Sequence, residues 1–275
     1  MGDHAFTLTP ALCAIFSNLI EEACGQHFSL RDRGILQAKL CAHAQEAGHQ
    51  SLLDYYYRLR YDDPDGAQRR ALIQGLVVHE TYFFRELAPI EQLVDRHLVP
   101  VVRARGRARV WSAACSSGEE PYTLAMLLDD RGILDQVEIL ASDISEAAIL
   151  RARAHEFGRR ALRDGHPVAL ATRYLEVIGG SLMTVPRIRD AVRFQTVNLL
   201  DGAALGELGT FDAILCRNVL IYFREASIVR VIDGLSRALA LDGLLTVGVS
   251  ESLMRFGTSL VCEERGGAFF YQRVA

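Results

Sequence analysis

The clearest indication of the fold class is the segment Val110-Trp-Ser-Ala-Ala-Cys-Ser-Ser-Gly-Glu-Glu-Pro-Tyr-Thr-Leu-Ala-Met-Leu-Leu128. An apolar run ends in a loop of small residues, and that loop opens directly into a helix. Pro121 suits the first helical turn, where a missing N–H costs nothing, and Glu119 and Glu120 complement the positive end of the helix. A strand, a loop and a helix in this order are typical of doubly wound α/β domains, which hold nucleotide-like ligands at such a loop.

The chain after Arg109 continues to alternate between strands and helices. Strands are predicted at 110–113, 137–142, 211–216, 244–249 and 268–273, and helices at 119–128, 145–154 and 226–239. Strands that alternate with helices predict a mostly parallel sheet that is covered on both faces. The fold class is therefore expected to be α/β, with a doubly wound, Rossmann-like sheet.

Two parts of the chain depart from this alternation. Apolar residues at helical spacing, beginning with Leu12, Ile15 and Phe16, predict helices from about residue 12 to 87. The Gly179-Gly180 pair between two apolar segments predicts a β-hairpin with strands at 174–178 and 182–185. We therefore expect a helical N-terminal domain over 1–90 and an α/β domain over 91–275, with a small β-subdomain inserted at about 160–195.

Composition argues against several classes of protein. The net charge of −4 is unlike that of a general nucleic-acid binder, which is usually strongly basic. No apolar run approaches the length of a membrane span, and the N-terminus lacks the charged and then apolar pattern of a signal peptide. We therefore expect a cytoplasmic protein with no direct membrane insertion. The six cysteines form no CxxC pair and the eight histidines form no HExxH motif, so reduced thiols and no metal site are expected.

Acidic residues indicate the kind of ligand that the predicted loop binds. Glu119 and Glu120 would repel a phosphate, which disfavours a dinucleotide and favours a ligand with an amino group and hydroxyls, such as S-adenosylmethionine. Asp143 ends a predicted strand, where a carboxylate can accept hydrogen bonds from a ribose diol. The alternative is that Asp143 caps the helix that follows.

Two further segments carry candidate residues. The segment Phe211-Asp-Ala-Ile-Leu-Cys-Arg-Asn-Val-Leu-Ile-Tyr-Phe223 is a predicted buried strand followed by Arg217, Asn218 and Tyr222. These residues are expected at the ligand edge of the sheet, the edge formed by the carboxyl ends of its strands, where ligands bind in an open α/β sheet. The alternative for Asn218 is a structural cap. In His79-Glu-Thr-Tyr-Phe-Phe-Arg-Glu86, the two phenylalanines are expected to be core anchors. Arg85 is either a functional residue or an ion-pair partner of Glu86 or Glu91.

Taken together, six segments closely resemble the chemoreceptor glutamate methyltransferases, the CheR family. They are HETYFFRE, VWSAACSSGEEPYTLA, ASDIS, RFQTVNLL, FDAILCRNVLIYF and GLLTVGVSES. The resemblance runs in collinear order over nearly the whole chain, from about Phe28 to Tyr271. The resemblance implies an S-adenosylmethionine-dependent methyltransferase that forms glutamate methyl esters on the cytoplasmic helical domain of chemoreceptors. It also implies S-adenosylhomocysteine as the product, and we expect the protein to act as a monomer.

The resemblance also assigns site residues, motif by motif. The implied cofactor pocket consists of His79, Thr81, Arg85, Glu119, Asp143, Asn198, Leu199, Arg217 and Asn218. Arg85 and Tyr222 would lie nearest the transferred methyl group and are the candidate catalytic residues. The chain departs from the family at His79, where Asn is common. Its Gly179-Gly180-Ser181-Leu182 hairpin is less glycine-rich and less aromatic than in members that dock on a receptor tether peptide, which argues against tether docking.

Two other functions are weighed against this one. The first is methylation of another protein or of RNA, and the acidic net charge and the lack of an aromatic–basic pattern count against RNA. The second is a regulatory protein that binds the cofactor without turnover. The presence of Arg85, Asp143 and Tyr222 argues against it, because a protein without catalysis does not need all three. Basic residues of the helical domain either meet an acidic receptor helix or form ordinary solvated faces; they are Arg31, Arg33, Lys39, Arg58 and Arg60.

Overall fold

The structure, a computed structural model, describes residues 5–274, and the chain divides into two compact units. A helical unit runs as far as Val78 and also includes Tyr222–Ile228. An α/β unit comprises His79–Ile221 and the chain from Val229 onward. Residues 79–90, which the sequence-based boundary assigns to the helical domain, thus belong to the α/β unit in this division.

The helical unit, as far as the structure describes it, is built from four α-helices, two of which begin at a side-chain N-cap. They are α1 (Pro10–Cys24), α2 (Arg33–Glu46), α3 (Leu52–Tyr61) and α4 (Ala67–Leu76), with a 3₁₀ turn at Leu30–Asp32. Thr9 caps α1 by accepting a hydrogen bond from the Leu12 N–H, and Ser51 caps α3 in the same way through the Asp54 N–H, as the sequence predicts for Ser51. Leucines at helical spacing, such as Leu36 and Leu40, are fully buried in this unit.

A distant stretch of chain completes the helical unit. The Tyr222 carbonyl accepts a hydrogen bond of 2.9 Å from the His27 N–H, and Gln26 forms an antiparallel bridge with Phe223. The segment Tyr222–Ile228 therefore belongs with the N-terminal helices, which the sequence pattern does not indicate.

The α/β unit has a seven-stranded sheet in the order β6-β2-β1-β7-β8-β10-β9. Its strands are β1 (Ala108–Ala113), β2 (Val137–Asp143), β6 (Val192–Thr196), β7 (Phe211–Cys216), β8 (Leu239–Thr246), β9 (Val261–Arg265) and β10 (Ala268–Gln272). The first five of these in sheet order pair in parallel, whereas β10 is antiparallel to both β8 and β9. The predicted doubly wound, mostly parallel fold is confirmed.

Helices connect these strands and cover the sheet. They are α5 (Leu87–Leu93), α6 (Val99–Arg105), α7 (Glu119–Asp130), α8 (Glu146–Ala154), α9 (Val168–Tyr174), α10 (Pro186–Arg189), α11 (Gly202–Glu207) and α12 (Glu225–Ala238), with a π-helical turn at Val94–Leu98 between α5 and α6. Because both faces of the sheet are covered, central strands are buried almost throughout, and β1 exposes only Arg109 in part. Across residues 5–274 there is no helix with both the length and the apolar character needed to cross a membrane.

A small antiparallel sheet is inserted in the α/β unit. It consists of β3 (Glu156–Phe157), β4 (Leu175–Ile178) and β5 (Ser181–Thr184), in the order β3-β5-β4. The predicted hairpin is the β4–β5 pair, and its two turn residues, Gly179 and Gly180, have φ angles of 59° and 90°. A two-residue hairpin turn with both φ angles positive favours glycine at both positions.

Gly118, the last loop residue before α7, permits close packing of helix and sheet. Its φ is 96°, and a Cβ at this position would lie 2.9 Å from the Ala152 Cβ and 3.3 Å from the Phe194 ring. A side chain here would therefore meet both an unfavourable backbone conformation and a steric overlap with α8 and β6.

Gly118→Ala is expected to lower the free energy of unfolding by about 2–5 kcal/mol, the sum of a left-handed backbone penalty and an overpacking penalty. Gly132→Ala is the matched control, because Gly132 has a φ of 70° but a Cβ there would have no atom of the described residues within 4 Å. The control should lose only about 1–2 kcal/mol. Urea denaturation measures both, and equal losses in the two variants would show that the Ala152 and Phe194 contacts are easily relieved.

Candidate active site

The loop after β1 has an unusual backbone. Ala114, Ser116 and Gly118 have φ angles of 61°, 51° and 96°, so every second residue is left-handed. For Ala114 and Ser116 this conformation costs about 1–3 kcal/mol each, and it persists only where surrounding contacts determine it. Two such contacts are the hydrogen bonds from Cys115 N–H to the Ser142 carbonyl (2.8 Å) and from Ser116 N–H to Asp143 Oδ2 (2.9 Å).

Asp143, at the end of β2, anchors two loops. Its Oδ2 accepts from Ser116 N–H, and its Oδ1 accepts from Ser145 N–H at 2.9 Å. The helix cap of α8 is Ser145, whose side chain accepts from Ala148 N–H, so the interpretation of Asp143 as this cap is wrong. Each carboxylate oxygen of Asp143 has a second lone pair, which allows a further hydrogen bond from a ligand hydroxyl.

Glu119, the first residue of α7, is a buried carboxyl group. Burial raises the pKa of Glu119, and the hydrogen bond of 2.8 Å that Ser117 Oγ donates to its Oε2 offsets that effect in part. A buried carboxylate with so few donors is suited to accept hydrogen bonds from a bound ligand.

Arg217, directly after β7, is the buried centre of an ionic network. Its side chain is 1% exposed, and it forms ion pairs with Glu120 (2.9 Å) and Glu86 (3.0 Å). The same guanidinium donates to the backbone carbonyls of Arg85 and Glu86 at 3.0 and 3.1 Å. Glu120 also accepts a hydrogen bond of 2.8 Å from Ser112 Oγ on β1. The network therefore joins β1, α7, the segment 79–86 and the loop after β7.

Glu86 extends the network to the loop after β8, which contains Val249. Its Oε1 accepts from Asn218 Nδ2 at 3.2 Å, and its Oε2 accepts from Val249 N–H at 3.1 Å. Burial alone would raise the pKa of Glu86, but these hydrogen bonds and the Arg217 charge hold it below its ordinary value. Glu251 also holds loops together. It accepts hydrogen bonds from the N–H groups of Asn218 and Gly248, both at 2.7 Å, and of Ile221 at 3.2 Å.

The segment that carries Arg85 is fixed by its two phenylalanines. Phe83 and Phe84 are both buried within the α/β unit, as expected of core anchors. Phe83 N–H donates to the Ala161 carbonyl at 2.8 Å, and Phe84 N–H donates to Thr123 Oγ1 at 3.1 Å. The Arg85 side chain does not pair with Glu86 or Glu91.

Arg85 is a half-exposed residue, and its guanidinium contacts its own segment. It donates to the Glu80 carbonyl at 2.7 Å and lies 5.6 Å from the centroid of the Tyr82 ring. Because its backbone carbonyl is bonded to Arg217, the main chain of Arg85 is fixed while its side chain remains accessible.

The other candidate residues fall in three places. Asn198 and Leu199 follow β6, in a loop whose Val197 N–H donates to the Asp143 carbonyl at 3.0 Å. His79 and Thr81 are in the same segment as Arg85. Tyr222, which is half-buried, belongs to the helical unit. The structure thus links Arg85, Arg217 and Asn218 through Glu86 and brings Asn198 and Leu199 near Asp143, whereas the roles of all these residues in ligand binding stay predictions.

Two buried polar atoms at this edge are consistent with a polar ligand. Ser116 Oγ and Arg217 Nε have no hydrogen-bond partner among residues 5–274. A buried polar group without a partner costs about 1–3 kcal/mol, which a ligand with hydroxyl or carboxylate groups would offset. S-adenosylmethionine carries such groups, and Asp143 and Glu119 supply acceptors for its hydroxyl and amino groups, so the residues present fit this cofactor.

The doubly wound sheet, with Glu119 and Glu120 at the start of α7 and Asp143 at the end of β2, fits the class of S-adenosylmethionine-dependent methyltransferases. Residues 79–264 match the family model described as "CheR methyltransferase, SAM binding domain". The chain belongs to the CheR methyltransferase family, and it is an S-adenosylmethionine-dependent methyltransferase.

Curated relatives agree with this assignment. The chain is 35% identical to chemotaxis protein methyltransferase 2 of Vibrio cholerae, over 88% of this chain and 86% of the relative. It is 34% identical to chemotaxis protein methyltransferase 1 of Pseudomonas aeruginosa, over 87% of this chain and 89% of the relative. It is also 34% identical to a probable biofilm formation methyltransferase, WspC, of Pseudomonas putida, over 77% of this chain and 50% of that protein.

Asp143→Ala should weaken binding of S-adenosylhomocysteine by about 1.5–3 kcal/mol, more than tenfold, because hydrogen bonds to a charged carboxylate are lost. The same change removes the anchors of Ser116 and Ser145, so it should also lower stability. Ser145→Ala is the control: it removes the cap of α8, at a cost of about 1 kcal/mol, and should leave ligand affinity unchanged. Calorimetric titration measures both affinities. If Asp143→Ala binds S-adenosylhomocysteine as tightly as Ser145→Ala does, Asp143 only anchors loops and does not bind the ribose.

Proposed function

We propose that this protein transfers a methyl group to glutamate side chains on the cytoplasmic helical domain of chemoreceptors, forming glutamate 5-methyl esters for sensory adaptation. The observation that carries this proposal is the match, over most of both chains, to relatives named chemotaxis protein methyltransferases. The ligand edge described above supports it with a set of groups suited to positioning rather than to proton abstraction.

The chemistry of the substrate explains why no strong base is required. A glutamate side chain has a reference pKa of about 4.3, so at neutral pH it is already a carboxylate nucleophile. S-adenosylmethionine supplies a methyl group that its sulfonium charge activates. The task left to the protein is alignment, which can contribute about 7–11 kcal/mol to lowering the barrier.

Individual residues would divide this task. Arg85 would hold a carboxylate with its planar guanidinium, either that of the substrate or that of the cofactor's methionine end. Asp143 would accept hydrogen bonds from the ribose hydroxyls, and Glu119 would accept them from the ligand's amino group. Tyr222 would donate a hydrogen bond near the reacting carboxylate.

The remaining pocket residues would complete the binding site. They are His79, Thr81, Asn198, Leu199, Arg217 and Asn218. The terminal nitrogens of Arg217 are engaged by Glu86 and Glu120. Its contribution to the cofactor would therefore come through Nε or through the loops that it holds.

The helical unit offers a basic surface for an acidic receptor helix. Arg58 pairs with Asp62, Arg60 pairs with Glu22, and Lys39 Nζ donates to a backbone carbonyl, so these three cations are already partnered. Arg31, in the 3₁₀ turn before α2, and Arg33, the first residue of α2, are both exposed and are the better candidates for receptor contact. We propose that the protein works in the cytoplasm as a monomer and without docking on a receptor tether.

Methyl-labelled S-adenosylmethionine, the protein and membranes that carry chemoreceptors should together yield a labelled band of receptor size. Because a carboxyl methyl ester hydrolyses in mild alkali, the label should become volatile methanol. Arg85→Ala and Tyr222→Phe should each slow the transfer at least tenfold at saturating cofactor. Arg107→Ala is the matched control, since Arg107 is exposed and precedes β1 at the opposite edge of the sheet.

Three outcomes would count against the proposal. Alkali-stable label would indicate methylation of nitrogen or carbon rather than of a carboxylate. No label with several receptor preparations, despite measurable cofactor binding, would favour a non-catalytic role. Equal rates in all three variants would remove Arg85 and Tyr222 from the set of catalytic residues.

A further inference from the structure

The turn that presents Arg85 has a strained backbone on both sides of it. Phe84 has a φ of 63° and Glu86 a φ of 46°, so two residues with side chains adopt the left-handed conformation with Arg85 between them. This conformation is uncommon for any residue other than glycine, and more so for a bulky one. Such a turn persists only where neighbouring groups determine its geometry.

Thr123 determines the turn from the side of α7. Its Oγ1 accepts the Phe84 N–H at 3.1 Å while donating to the Glu119 carbonyl at 2.7 Å. Thr123 is 1% exposed. The hydroxyl therefore connects the first turn of α7, which carries Glu119, with the residue immediately before Arg85.

Glu86 and Arg217 determine the turn from the other side. Arg217 donates to the carbonyls of Arg85 and Glu86, and the Glu86 carboxylate accepts from Arg217, Asn218 and Val249. Both carboxylate oxygens of Glu86 are thus used to hold loops, and neither of them holds the Arg85 guanidinium.

We propose that Thr123 and Glu86 are positioning residues, which hold the strained Phe84-Arg85-Glu86 turn so that Arg85 meets a carboxylate in one fixed orientation. Neither is among the predicted ligand-binding residues. The inference rests on the proposed function, because it assumes that Arg85 acts in methyl transfer. Its specific content is that both residues act through Arg85.

Thr123→Val and Thr123→Ser form a matched pair. Valine keeps the size and the branched Cβ but offers no acceptor to the Phe84 N–H, whereas serine keeps the hydroxyl. In the label-transfer assay, Thr123→Val should lower kcat/KM at least tenfold, and Thr123→Ser should stay within threefold of the parent. Thermal unfolding of each variant establishes that the protein is folded under the assay conditions.

The double variant Arg85→Ala/Thr123→Val tests whether Thr123 acts through Arg85. Once Arg85 is removed, losing the Thr123 hydroxyl should cause less than a threefold further decrease, because the two effects belong to one unit. A merely structural role would instead give a second, multiplicative loss of tenfold or more. That result would overturn the inference, and so would a serine variant as impaired as the valine variant.

Glu86→Gln keeps the test decisive if Thr123→Val does not fold. It preserves the shape of the side chain but removes the charge that Arg217 pairs with. Because Glu86 also holds Arg217 and Asn218, its non-additivity with Arg85→Ala is expected in kcat at saturating cofactor, where a change in cofactor affinity has no effect. The positioning role alone would be overturned if methyl transfer were slow in Arg85→Ala but as fast as in the parent in both Thr123→Val and Glu86→Gln. Parent-like Arg85→Ala would overturn the catalytic role of Arg85, and the positioning role with it.

Discussion

The rest of the site depends on one buried cation. The Arg217 guanidinium carries a positive charge, so its burial requires compensating negative charge. Glu86 and Glu120 supply that charge, and two backbone carbonyls supply further acceptors. Removing Arg217 would cost about 3–5 kcal/mol, because the charges of Glu86 and Glu120 would be left largely buried and without their cation. This requirement brings α7, the segment 79–86 and the loop after β7 to the same edge of the sheet.

The acids at this edge have separate tasks. Glu86 and Glu120 are committed to Arg217, and Glu251 is committed to backbone N–H groups of two loops. Glu119 and Asp143 have fewer protein donors than a buried carboxylate can accept. The first three therefore build the edge, whereas Glu119 and Asp143 keep acceptor capacity that we propose a ligand uses. An edge held by ionic contacts and strained turns suits a reaction in which alignment, rather than proton transfer, lowers the barrier.

The sequence predicts the parts of this site that have a local signature. Apolar strands, the Gly179-Gly180 turn and an acid at the end of β2 follow from composition and spacing. Edge strands are harder to predict: β9 contains Glu263, Glu264 and Arg265 and is absent from the sequence-based strands, since an edge strand needs no apolar run. The sequence-based bounds of the small β-subdomain also include most of β6, although β6 pairs with β2 in the main sheet.

The contacts that build the site have no such signature. The sequence suggests Glu86 only as an ion-pair partner of Arg85, whereas its partner in the fold is Arg217, more than a hundred residues further along the chain. Nothing in the local sequence shows that Ala114, Ser116 or Phe84 is left-handed, because long-range hydrogen bonds impose that conformation. Only packing reveals that residues 79–90 belong to the α/β unit, because no break in the sequence pattern sets them apart from the helices before them.

A crystal structure of the protein with S-adenosylhomocysteine bound would show directly which groups meet the ligand. We expect the product at the carboxyl ends of β1 and β2, with its ribose hydroxyls within hydrogen-bond distance of Asp143 and its amino group facing Glu119. Product bound instead in the cavity at the opposite edge, which Arg105, Arg109 and Glu138 line, would contradict this expectation.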